Sequence, residues 1–226
     1  MKRIPLAERT LPNYTRGEEL FNMISHITGG ALGLVALTLC LCVSIIYRNP
    51  YGIPGGIIFG LSMILLYTMS SIYHGLKPGS TAKKVFQVID HCTNYLLIAG
   101  TYTPVCFQMM RLGFSSRGWL ILLIVWGLAL VGIVLNAIDL KRYRHISMFL
   151  YLGMGWCIIG LSTPSLMVEI MGATGTKFML AGGIAYSVGA IFYGVGHKKK
   201  YMHSVFHLFC VLGSLLHVIS VLCFLK

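Results

Sequence analysis

Acidic residues are scarce in this chain: six Asp and Glu stand among 226 residues, against eighteen Lys and Arg, and charged residues make up only 11%. That is not the profile of a soluble globular domain, and with 56% hydrophobic residues and a mean hydropathy of +0.78 the composition points to a lipid-embedded protein. The net charge of +12 does not argue for nucleic acid as a partner. The cations lie in short clusters between apolar runs, where membrane orientation and anionic headgroups explain them. No Cys-x-x-Cys motif is present. Cys40, Cys42, Cys92, Cys106, Cys157, Cys210 and Cys223 all fall within apolar runs and read as small buried residues. Also missing are long polar connections, low-complexity segments and a convincing internal repeat, so no separate soluble domain is expected. The first apolar run, Leu20 to Tyr47, is longer than the h-region of a cleavable signal and reads as an uncleaved first span.

What the sequence does have is apolar length. Breaks at charged and Pro/Gly-containing segments leave seven runs near 20–47, 52–75, 85–110, 118–138, 146–167, 178–196 and 202–225. A bilayer-crossing helix needs about 20 residues, so the expected fold is an all-α membrane protein, a seven-transmembrane helix bundle. Residues 1–18 form a short basic tail and 19–226 the transmembrane domain. The run near 178–196 is the shortest, and its Gly182, Gly183 and Gly189 favour close helix packing. Orientation follows from the basic residues. Lys2, Arg3, Arg9 and Arg16, then Lys77, Lys83, Lys84, Lys141, Arg142, Arg144, Lys198, Lys199 and Lys200, share one side; Arg48, Arg111, Arg117, Lys177 and Lys226 take the other. The positive-inside rule then places the N-terminus in the cytoplasm and the C-terminus outside.

Alternation of the spans brings the polar residues to one depth. Glu18, Glu19, Asn22, Ser25 and His26 open the first span, Ser70 and His74 close the second, Asp90 and His91 lie early in the third, and His203 and His207 open the seventh. Polar groups at membrane depth are expensive and are kept for a function. His203 and His207 are i and i+4, about 6 Å apart on one helix face, the usual spacing of a helical metal pair. With His74 they would make a three-histidine site whose open fourth position suits catalytic Zn²⁺. Asp90 lies near enough in depth to hold a water and take its proton, and Ser70 to orient a ligand or contact substrate.

Each residue has a plainer alternative. His203 and His207 could be interfacial histidines beside the Lys198–Lys200 cluster, Asp90 could pair with Lys83 or Lys84, and Ser70 could be a packing hydroxyl bonded to its own helix. Glu18, Glu19, Asn22 and His26 form an accessory cluster that reads as a second half-site, a helix cap, or a latch between helix ends. His217 lies about 21 Å along the helix from His203, too deep to share its metal, and reads as a packing or hydrogen-bonding residue. His145 suits a headgroup contact, His197 has no assigned chemistry, and His91 points about 100° away from Asp90, which leaves it an outer position.

Four ordered motifs carry a resemblance. Glu18-Glu19-Leu20-Phe21-Asn22-Met23-Ile24-Ser25-His26, Ser70-Ser71-Ile72-Tyr73-His74, Asp90-His91 leading to Leu97-Ile98-Ala99-Gly100-Thr101-Tyr102-Thr103-Pro104, and His203-x-x-x-His207 resemble the hemolysin III family, the bacterial branch of the progestin and adipoQ receptors. The likeness runs from about residue 16 across essentially the whole chain. It implies a zinc site near the cytoplasmic face, with zinc on His74, His203 and His207, a water-binding aspartate at Asp90 and an accompanying serine at Ser70. It also implies a bacterial plasma membrane.

The family name implies lysis of membranes, whereas the wider superfamily, which includes alkaline ceramidases, implies hydrolysis of lipid amides. The expected function is a zinc-binding membrane protein with latent or actual hydrolase activity on acyl-lipid amides or esters, with membrane lipids as substrate or ligand. A cytolytic protein and a non-catalytic, metal-dependent receptor or sensor are the alternatives.

Overall fold

The computed structural model describes residues 8–196 and 199–226. Lys2, Arg3, His197 and Lys198, invoked above for orientation and loop chemistry, lie outside the described residues. Seven α-helices are found among those described: α1 (Arg16–Ile46), α2 (Gly52–Gly75), α3 (Thr81–Arg111), α4 (Ser115–Asp139), α5 (Arg144–Leu161), α6 (Pro164–Gly196) and α7 (Met202–Phe224). No strand occurs among the described residues.

Successive helices pack as neighbours, most closely α1 on α2, α2 on α3, α3 on α4 and α6 on α7. Contact between α7 and α1 closes the ring, while α3 also reaches α5, α6 and α7 and so stands at its centre. Six of the seven helices are long and apolar enough to cross a membrane; α3 is the exception. It carries Lys83, Lys84 and Asp90, and its inner position explains why polar side chains are tolerated there: they face protein rather than lipid.

The apolar run of the second span coincides with α2, whereas α1 and α3 begin four residues ahead of their runs. Polar caps account for the difference. The Thr15 hydroxyl accepts from the Glu18 N–H at 3.3 Å while the Glu18 carboxylate accepts from the Thr15 N–H at 2.8 Å, a reciprocal capping box. Ser80 caps α3 one way only, its hydroxyl accepting from the Lys83 N–H at 3.1 Å.

The largest departure from the sequence reading concerns α6. The segment read as shortest belongs to a 33-residue helical stretch, two helices joined across a kink at Gly172, and α5 ends at Leu161 rather than 167. Pro164 starts α6 where its fixed φ and missing N–H are harmless. The runs above leave 168–177 as a connection, but Glu169 and Lys177 are both helical, on either side of the kink at Gly172, whose φ of 69° favours glycine. The Thr176 hydroxyl bridges the interruption, donating to the carbonyls of Met167 at 3.1 Å and Gly172 at 2.9 Å.

Close approach of α1 and α2 fixes the depth of the site. A Cβ at Gly29 would stand 2.5 Å from the ring of Tyr67, which is fully buried and whose hydroxyl is bonded to the Cys210 carbonyl at 3.0 Å and to Ser214 at 2.7 Å. The ring cannot retreat without breaking those bonds. Gly29→Ala is therefore expected to destabilise the protein by about 1–3 kcal/mol, read as a fall in the thermal unfolding midpoint in detergent. An unchanged midpoint would show that the two helices can separate freely.

Candidate metal centre

Alternation of the helices gathers the first turns of α1, α3 and α7 and the last turns of α2 at one end of the bundle. His74, from the end of α2, and His203 and His207, from the start of α7, each offer a ring nitrogen, and these atoms lie within 4.8 Å of one another. The Nε2 atoms of His203 and His207 are 3.0 Å apart. His74 and His207 are buried and His203 half-buried.

The donor chemistry fits a metal. Nδ1 of His74 lies 2.7 Å from Oε2 of Glu19, and a carboxylate only accepts, so the proton sits on Nδ1 and the lone pair on Nε2. That Nε2 is buried with no protein partner. A tetrahedral zinc with Zn–N bonds near 2.0–2.1 Å holds its nitrogens about 3.3 Å apart, a spacing comparable with that of the three ring nitrogens here, all within 4.8 Å of one another.

The accessory cluster divides into distinct roles. Glu18 is both cap and latch: besides closing the α1 capping box, its Oε1 accepts the Tyr201 N–H at 2.7 Å. Tyr201 is the residue before α7 and adopts φ 62°, so this bond ties the start of α1 to the start of α7. Glu19 turns the other way, to His74 and to Lys83 Nζ at 2.9 Å. Asn22 and His26 are buried, and the His26 ring stacks on His207 with centroids 3.7 Å apart.

The proposed pairing of Asp90 with Lys83 is not observed. Lys83 is 1% exposed and serves Glu19 together with the carbonyls of Tyr73, His74 and Leu76, at 2.8, 3.3 and 3.2 Å. Asp90 instead lines a cavity of about 540 Å³, together with Ser70, His203 and His207. Ser70 is buried and its hydroxyl bonds to no protein atom, so the packing hydroxyl bonded to its own helix is not found. From this polar end the cavity continues past Leu97, Ile98, Val105, Trp156 and Met179 to His217. His217 is buried and meets the Met179 carbonyl at 3.2 Å, in line with a hydrogen-bonding role, yet it also forms the far wall of the cavity, which spacing alone did not reveal. His91 lines the cavity without joining the histidine group, and His145 is exposed.

One contributor escaped the sequence reading altogether. Tyr14, ahead of α1, stacks on His203 with centroids 4.9 Å apart and planes 16° from parallel. Burial, together with Tyr193 and the carboxylates of Glu19 and Asp90, pushes its phenol well above the usual range, so it remains a neutral hydrogen-bond donor. Glu8, Arg9, Thr10, Leu11 and Pro12 line the cavity beside it, and Arg9 donates to the Ile138 carbonyl at the end of α4 at 3.2 Å. An aromatic residue five positions ahead of Glu19 was the available signal, but the surrounding polar segment reads as a tail.

Fold and site together define a multi-pass integral membrane protein of helical type, with a group of three buried or half-buried imidazoles able to hold a metal ion at one end of the bundle. Comparison with known proteins narrows this. The family model for haemolysin-III related proteins matches residues 14–218, and the chain belongs to that family. It is 38% identical over 201 residues to the hemolysin-3 homolog of Bacillus subtilis (strain 168), covering 89% of this chain and 91% of the relative. To hemolysin-3 of Bacillus cereus it is 36% identical over 209 residues, with 91% and 90% covered. A more distant match, 25% over 174 residues, is the human monocyte to macrophage differentiation factor, with 73% of this chain and 67% of that protein covered.

Proposed function

We propose that this protein is a zinc-dependent hydrolase of acyl-lipid amides or esters, serving membrane-lipid homeostasis. The observation that carries the reading is a cavity lined by two members of the histidine group, His203 and His207, that runs on into a long apolar slot. His74, His203 and His207 would hold the ion, which supplies a Lewis acid for an acyl carbonyl and activates water. Asp90, which lines the same cavity as His203 and His207, would hold a water by a hydrogen bond and accept its proton. Ser70, with no competing protein partner, donates its hydroxyl to the scissile group. The apolar wall of Leu97, Ile98, Val105 and Met179 holds the acyl chain and keeps bulk water away. With the N-terminus cytoplasmic, as the basic residues indicate, the polar end of the cavity lies on the cytoplasmic side.

The test pairs metal content with turnover. Zinc-loaded wild type in detergent is offered N-acyl and O-acyl lipids, and release of free fatty acid is followed by mass spectrometry. Asp90→Asn is expected to keep its zinc and lose at least about 100-fold in rate. Wild type that holds one zinc and cleaves neither class would leave a metal-dependent sensor and overturn the hydrolase.

A further inference from the structure

The pairing of Glu19 with a buried lysine on one side and a histidine on the other is not explained by helix capping. Glu19 lies in the first turn of α1, where a carboxylate is normally hydrated and serves the helix dipole. Here its side chain is 12% exposed and both oxygens are engaged, Oε2 with His74 Nδ1 at 2.7 Å and Oε1 with Lys83 Nζ at 2.9 Å. Lys83 cannot swing away, because its ammonium also donates to carbonyls at the end of α2 and stands over the Tyr73 ring at 4.8 Å.

We propose that Glu19, locked by Lys83, is the positioning carboxylate of the metal centre. It holds the proton of His74 on Nδ1 and so turns the Nε2 lone pair toward His203 and His207. The inference rests on the metal reading of the three histidines. It adds an outer carboxylate, from a helix that contributes no ligand, and a cation that fixes that carboxylate. An acceptor on the far nitrogen of a ligating imidazole sets its tautomer and orientation, and loss of such a partner costs about 10- to 100-fold in metal affinity. The neighbouring Glu18 makes no bond of this kind; its oxygens serve Thr15 and Tyr201.

The experiment measures zinc affinity of the full-length protein in detergent by chelator competition, and the thermal midpoint of the metal-free forms, for wild type, Glu19→Ala and Glu19→Gln. Co²⁺ is then substituted and its visible spectrum recorded. Glu19→Ala is expected to bind zinc about 10- to 100-fold more weakly and to show an altered Co²⁺ spectrum. Glu19→Gln, whose amide oxygen still accepts from Nδ1, should recover most of both. Affinity and Co²⁺ spectrum unchanged in Glu19→Ala, with only the metal-free midpoint lowered, would make Glu19 a helix clamp and overturn the proposal. Equal loss in Glu19→Ala and Glu19→Gln would overturn it too, since the accepting oxygen would then be irrelevant. Absence of metal in wild type would instead remove the metal reading itself, a separate failure.

Discussion

Replacing His203 and His207 together by alanine is expected to bring metal content from about one ion per chain to background, as read by elemental analysis of the purified protein. The pair supplies two of the three imidazoles, and without it an ion would be left with the single ligand His74. Binding to the folded state alone stabilises it by about 2.7 kcal/mol when free ligand is 100 times its dissociation constant. Added zinc should therefore raise the thermal midpoint of wild type and leave the double variant unmoved. His74→Ala should behave alike from the other side of the site, although it removes a residue from a different helix. Far-ultraviolet circular dichroism checks that each variant keeps its helices. A double variant that retains stoichiometric metal would mean that the ion sits elsewhere.

Lys83→Met is expected to cost about 3–5 kcal/mol, the penalty for breaking a buried ion pair by removing one member. The ammonium has four oxygen partners within 3.3 Å, three of them carbonyls at the end of α2. Without it those carbonyls lose their donor and the Glu19 carboxylate is left with His74 alone. For a chain of this size each kcal/mol moves the midpoint by roughly 2–4 °C, so a fall of about 10 °C is expected at a fixed scan rate. Arg117→Met, at an exposed position, provides the contrast, with a change below about 0.5 kcal/mol. Equal midpoints for the two variants would show that the bundle tolerates the unpaired carboxylate.

The number of helices and the depth of the polar layer were legible in the sequence because both depend on apolar run length and on alternation. His74, His203 and His207 could be gathered by counting alone. The partner of Lys83 could not: Asp90 is seven residues away on the same helix, Glu19 is on another, and only the packing of α1 against α2 decides between them. Helix ends were missed where polar caps extend them, at Thr15 and Ser80. The length of α6 was hidden because Glu169 and Lys177 lower its hydropathy while its break is a single glycine conformation. Tyr14 lies in a polar segment with no periodicity, so nothing local reported its stacking on His203. The cavity is a property of gaps between helices, and no residue pattern encodes it.

The ring of helices is closed by α7 against α1, and this has a consequence for the order of events during synthesis. His74 enters the membrane with the second helix, but its two partners arrive only with the last, 129 and 133 positions later. A nascent chain halted anywhere before His203 carries one of the three imidazoles of the group, too few to hold an ion there. Filling of the three-histidine group by a metal ion would therefore wait until the seventh helix has been delivered and seated.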